Sequence, residues 1–223
     1  MTHRRTPPSV SELVADLITC DSLRPEYAQE LACFAPLLGS WDLDVTDFHP
    51  DGTSTRRQGE WHFTWALGGR ALIDVWITPS RATQQEGEPG EWGMSVRFPS
   101  AESGVLRSTW LGPGRRVVFP FLARPDNDTI TLSARLEEGC ETRWRFTDIT
   151  SASFNWRNEE VPDDGSDTRL LQTFRARRVE ADDARRSPRA DPMLRSGDLD
   201  TLEQLEVGRT MPASRGCSTN PMA

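Results

Sequence analysis

The chain has 223 residues, 26 Lys+Arg against 34 Asp+Glu and a formal net charge of -8, which fits one domain of ordinary depth with extensions. An acidic balance offers no broad attraction to phosphate backbones or anionic lipid, so neither nucleic acid nor a membrane surface is an expected partner. All of the basic charge is arginine; with no lysine anywhere, Schiff-base chemistry and the lysine of a P-loop are excluded.

Residues 1–8 read as a flexible leader. They lack the apolar run of a signal peptide, and nowhere do 18 consecutive apolar residues occur, so a cytoplasmic location is expected. Ser9 with Glu12 makes a capping box ahead of Leu13, Val14, Leu17 and Ile18, which repeat at helical spacing and predict a helix from Val10 to Cys20. Pro25 opens a second helix through Ala28, Leu31, Ala32 and Ala35, which stops between Pro36 and Gly39. Residues 9–38 are thus a helical preface.

From Trp41 the period changes to two. About ten strands are predicted, at 41–48, 57–67, 70–77, 92–98, 104–111, 115–122, 128–136, 140–149, 152–158 and 168–178, broken by Gly, Pro, Asp and Asn. No helical pattern interrupts them, which rules out parallel crossovers and leaves closure into an up-and-down antiparallel barrel over 39–178 as the economical way to remove both edges. All eight Trp lie between Trp41 and Trp156, and no aromatic follows Phe174. The mixed-charge, Pro-punctuated stretch 179–223 has too little apolar surface to order itself and reads as a disordered tail.

Two hairpins set which side chains share a face. Gly68-Gly69 suits a two-residue turn with positive φ, which opposes Trp65 to Leu72, Phe63 to Asp74 and Trp61 to Trp76 on one face. His62, Thr64, Ala66, Ala71, Ile73 and Val75 take the other. Asp74 is then the one ionisable group among three tryptophans, a phenylalanine and a leucine. In the second hairpin, Gly139 in the left-handed position opposes Leu136 to Cys140, Leu132 to Trp144 and Ile130 to Phe146, while Arg135 faces Glu141 and Ser133 faces Arg143. Trp144 and Phe146 therefore point inward, and Arg143 and Arg145 outward. Around Gly112-Pro113-Gly114, Arg107 either shares the inner face or lies where the wall turns.

A carboxyl among indole rings is raised in pKa by desolvation and can act as general acid or base, which makes Asp74 the catalytic candidate. The structural alternative is that it anchors a hydrogen-bond network or pairs with Arg70 or Arg107. His62, the sole histidine inside a strand, falls on the face opposite Asp74; a packed or surface role competes with that of an axial ligand to haem iron. Cys20, Cys33, Cys140 and Cys217 show no CxxC pair and no nearby histidine, and read as reduced thiols. Neither a metal site nor a cofactor motif is present in the sequence, so none is expected. Eight Trp against one Tyr suits either a filled core or a pocket for a flat apolar molecule, and ten strands make a barrel wider than side chains alone fill.

Leu38-Gly39-Ser40-Trp41, followed by Trp61-x-Phe63-x-Trp65-x-Leu67-Gly68-Gly69-Arg70-x-Leu72, resembles the lipocalin-like, calycin-type barrels, a family of largely unknown function related to fatty-acid-binding and nitrobindin-like proteins. The resemblance covers residues 40–178 and implies a closed barrel with an internal cavity. Some lipocalin-like members are cofactor-free cyclases or isomerases of natural-product metabolism. The haem-binding branch would carry a histidine late in the barrel, and none follows His62 here; the cysteine pair of secreted lipocalins is missing too.

The expectation is a barrel that binds a small hydrophobic or aromatic molecule in a cavity walled by Trp61, Phe63, Trp65, Trp76, Trp110, Trp144 and Trp156, with Arg107 as a further contact. The alternatives are a cofactor-independent cyclase, isomerase or hydratase using Asp74, and, behind it, a haem-binding barrel.

Overall fold

The computed structural model of the chain describes residues 9–88, 90–136 and 139–180. Helix α1 (Val10–Ile18) carries the expected capping box: the Ser9 hydroxyl accepts from the Glu12 amide, and the Glu12 carboxylate accepts from the Ser9 amide. It ends two residues early because the next two form a short strand, β1 (Thr19–Cys20), paired with Ala66 and Trp65. None of its residues is buried, and Val10 and Leu17 are largely exposed. Helix α2 (Pro25–Leu31), begun by its proline, tightens into a 3-10 helix (Ala32–Leu37), since Pro36 interrupts α-helical bonding.

Ten strands follow: β2 (Gly39–Phe48), β3 (Ser54–Ala66), β4 (Ala71–Thr78), β5 (Glu91–Pro99), β6 (Leu106–Gly112), β7 (Val117–Asp126), β8 (Thr129–Leu136), β9 (Cys140–Thr147), β10 (Ser153–Pro162) and β11 (Arg169–Arg178). Each pairs antiparallel with the next, and β11 returns to β2, so the sheet closes into the expected up-and-down barrel of ten strands. Both hairpin registers are as read from the sequence: Trp61 opposes Trp76 and Phe63 opposes Asp74 in one, Leu132 opposes Trp144 and Ile130 opposes Phe146 in the other. The first turn differs. Leu67, Gly68 and Gly69 all take positive φ, and Leu67 to Arg70 form a four-residue loop closed by the Ala66–Ala71 pair. Adding one residue to each side of a turn leaves the register unchanged, which is why the facing pairs hold.

That turn also docks the preface. The Arg24 amide donates to Gly69 O at 3.0 Å and the Leu67 amide to Ile18 O at 2.9 Å. A Cβ on Gly69 would lie 2.6 Å from both Arg24 N and Ser22 O, so glycine is required for close approach as well as for φ. Leu31, Phe34 and Leu37, fully buried, join the core beneath, and the Trp41 indole donates to Leu37 O at 2.7 Å. The preface thereby covers one end of the barrel. The other end carries the loops 49–53, 79–90 and 113–116.

Candidate functional site

The barrel interior has two zones. At its middle and toward the helix-covered end lies an aromatic cluster in which Trp156 and Trp76 both stack on Phe174, at 4.3 and 5.7 Å between centroids, while Trp144 meets Trp156 edge-on at 5.5 Å. Trp61 contacts Phe63, Phe146 and Phe174 at 4.9, 5.3 and 5.7 Å. Trp61, Phe63, Trp65, Trp76, Trp110, Trp144 and Trp156 are all buried. The two hairpin registers place Trp61, Phe63, Trp65, Trp76 and Trp144 on the inner face, whereas the hairpin of Trp110 leaves its face open. Yet their rings pack on one another instead of standing around a void.

Asp74 lies within this zone, 1 % exposed, but it is not alone. Its Oδ1 accepts from Trp61 Nε1 at 2.6 Å, and its Oδ2 forms an ion pair with Arg97, which is itself fully buried. The Arg97 guanidinium also sits over the Phe34 and Phe146 rings, 5.7 and 6.0 Å from their centroids, and burial brings it down to about 9. The expectation that Asp74 pairs with Arg70 or Arg107 is corrected here. Arg70 Nη1 donates to the Leu67 and Gly68 carbonyls of its own turn. Arg107 is exposed on the outer wall, because the inward positions of β6 are Leu106, Ser108, Trp110 and Gly112.

Arg97 escaped sequence reading because β5 inverts the usual pattern. In Glu91-Trp92-Gly93-Met94-Ser95-Val96-Arg97-Phe98 the apolar alternation points one way and the burial the other: Trp92 and Phe98 are 43 and 41 % exposed, whereas Glu91, Ser95 and Arg97 are buried inside. Pairing with β4 dictates this, since Leu72 and Asp74 oppose Arg97 and Ser95. A signal existed in retrospect: a buried Asp demands a cation, and Arg97 is the strand arginine that its neighbour supplies.

The second zone is polar and lies at the loop end. Asp47 pairs with Arg57 at 2.9 Å, Glu91 accepts from the Gly114 amide at 3.1 Å and faces Arg115 Nε at 3.5 Å, and the Thr142 hydroxyl donates to Asn158 Oδ1 at 3.2 Å. A cavity of ≈ 400 Å³ opens here, lined among others by Arg57, Thr78, Pro79, Glu91, Gly114 and Arg115. A second cavity, of ≈ 460 Å³, lies beside α2 at the opposite end, lined among others by Glu26, Glu30, Cys33 and Val105; the one at the loop end is lined by no tryptophan. The physical reason is legible along each strand: the inward residue one step nearer the mouth is Gly59 before Trp61, Thr78 after Trp76, Gly112 after Trp110, Thr142 before Trp144 and Asn158 after Trp156.

His62 lies on the outer wall, half-buried, with Nδ1 on Ser40 Oγ at 2.9 Å and Nε2 on Glu60 Oε2 at 3.2 Å. With both ring nitrogens engaged outside the barrel, it does not fit an axial ligand to a haem inside it. Burial works to raise the Glu60 carboxyl, but hydrogen bonds from His62 and Arg81 outweigh it and hold it at about 2 against an ordinary 4.5. A carboxylate depressed in the fold adds stability that is present above its unfolded value and is lost as pH falls. The stability gap between wild type and Glu60→Gln, measured by urea unfolding, is therefore expected to be on the order of 3 kcal/mol near neutrality. It should close as pH drops from 4.5 to about 2; a gap that persists at the acid end contradicts the assignment.

Cys20 and Cys33 are free thiols, and desolvation pushes Cys33 up to about 11. Cys140 is disulfide-bonded, which corrects the reading of all four as reduced. Among the described residues no helix is long and apolar enough to cross a membrane. The expected leader, 1–8, and nearly all of the expected tail lie outside the described residues.

No family model matches the sequence, and no curated protein matches it either. Among solved structures the chain is similar to Rv2717c from M. tuberculosis, with 16% identity over 71% of this chain and 100% of that one and a TM-score of 0.50. A second similarity, to the S-type phycobiliprotein lyase CPES from Guillardia theta, has 12% identity over 70% of this chain and 94% of that one and a TM-score of 0.47. At such identity the first likeness speaks for the fold alone, a closed antiparallel β-barrel.

Proposed function

We propose that this barrel is a binding protein for a small hydrophobic or aromatic molecule, which enters at the loop end and settles on the tryptophan layer. One observation carries the reading: a barrel covered by helices at one end keeps a cavity of ≈ 400 Å³ at the other, whose lining residue Thr78 is one inward step along β4 from the buried Trp76. That volume falls in the range of small-molecule sites, and such sites combine apolar walls with a few placed polar groups. Arg57, Thr78, Glu91 and Arg115 supply the polar groups.

The cyclase or isomerase alternative asks Asp74 to move a proton. Both of its oxygens are already engaged, by Trp61 and Arg97, and it lies below the open space, so we assign Asp74 to holding the core.

The test uses 1-anilinonaphthalene-8-sulfonate, followed by its own emission and by quenching of tryptophan fluorescence. Wild type is expected to bind it, Thr78→Trp to lose about tenfold or more in affinity by filling the mouth, and Arg107→Ala to match wild type. Binding indifferent to Thr78→Trp would place the site elsewhere and sink the proposal.

A further inference from the structure

Most of the buried polar side-chain atoms without a hydrogen-bond partner are donors. The indole N–H groups of Trp76, Trp110, Trp144 and Trp156 have no hydrogen-bond partner, although each of these residues is at most 1 % exposed; the Thr78 and Ser108 hydroxyls and Nε and Nη2 of Arg97 are in the same condition. A buried donor without an acceptor forfeits the bond it had to water, and folded proteins keep few of them. Here they converge inside one barrel. Asp74, the acidic group in the tryptophan zone, has both oxygens occupied by other donors.

The donors are also ordered from the mouth inward. Thr78 lines the cavity, and Trp76 is the next inward residue on β4. Trp110 comes next. Its ring lies across Gly93 and Gly112, where an added Cβ would meet it at 2.7 and 2.4 Å, and these glycines are one inward step below Glu91 and Gly114 of the cavity lining. Beyond it, Trp144 is 5.9 Å from Trp110 and Trp156 is 5.5 Å from Trp144. Only glycine on that wall lets the ring lie so close, which brings its Nε1 beside Gly93, one inward step from Glu91 of the cavity lining.

We infer that the occupant is a flat molecule carrying two or more hydrogen-bond acceptors along its body, such as quinone, ketone or carboxylate oxygens, to which Thr78, Trp76 and Trp110 donate. A hydrocarbon would leave those donors unpaired. The inference rests on the reading of the barrel as a binding protein and deepens it by naming the ligand's chemistry.

Two probes of one shape separate the cases: anthraquinone-2-sulfonate and anthracene-2-sulfonate differ only in the two ring carbonyls. The quinone is expected to bind about tenfold or more tightly than the hydrocarbon, and Trp76→Phe or Trp110→Phe to reduce that preference below about threefold while leaving hydrocarbon binding alone. In 15N-tryptophan spectra of the unaltered protein, the Trp76 and Trp110 indole protons are expected to shift downfield with the quinone and not with the hydrocarbon. Equal affinities, or indole signals that stay where ring faces alone would place them, overturn the inference and leave the binding reading standing. Failure of both probes to bind overturns the two together.

Discussion

Asp74→Asn is expected to destabilise the barrel by about 3 to 5 kcal/mol, the cost of leaving a buried charge without its partner. Arg97 is fully buried, and even with burial bringing it down to about 9 it stays protonated at neutral pH. Asn can still accept from the Trp61 indole, but its NH2 then faces the Arg97 guanidinium, so the substitution removes both the counter-charge and the hydrogen bond that Oδ2 accepts. Taking both ions out should cost less than taking one: Asp74→Leu with Arg97→Met is expected to be more stable than Asp74→Asn alone, because two desolvated charges give way to packed apolar groups. Urea unfolding of the three proteins decides it. A single variant within about 1 kcal/mol of wild type would mean that the pair contributes little net stability and would reopen a chemical role for Asp74.

The second large effect is at Trp61, the ring that ties the cluster together. Trp61→Ala removes contacts to Phe63, Phe146, Phe154, Trp156 and Phe174 and is expected to cost about 3 to 5 kcal/mol, in line with large-to-small changes in a packed core. Trp61→Phe keeps most of the ring and deletes the N–H that Asp74 accepts, so roughly 1 to 3 kcal/mol is expected. Because Trp61 and Arg97 serve the same carboxylate, Trp61→Phe and Asp74→Asn should combine non-additively, with the double variant less impaired than the sum. Strict additivity in the unfolding free energies would show that the three residues do not act as one network.

Trp61, Trp65, Trp76 and Trp144 were legible because each sits in a strand whose hairpin turn is local and sets its register. Gly68-Gly69 and Gly139 fixed the two registers even though the first loop proved to be four residues long, since a turn enlarged symmetrically preserves the pairs it joins. The candidate site was less legible. The weak alternation of β6 leaves the face of Arg107 and Trp110 open, and β5 hides Arg97 by presenting its apolar side chains to the outside. Local hydrophobicity cannot reveal such an inversion: the burial of Arg97 is favoured only by a carboxylate 23 positions away that is itself buried.

The sequence by itself determined the strand count, the antiparallel meander, the two hairpin registers with the tryptophans they turn inward, and the capped first helix. All of these follow from contacts a few residues apart, where turn chemistry and side-chain period decide the geometry. Only the tertiary structure decided which cation neutralises Asp74, that the rings fill the barrel's middle, and that a cavity opens at the polar mouth. Those outcomes depend on closure of β11 against β2 and on how ten inward faces share one volume, a constraint that no single segment carries.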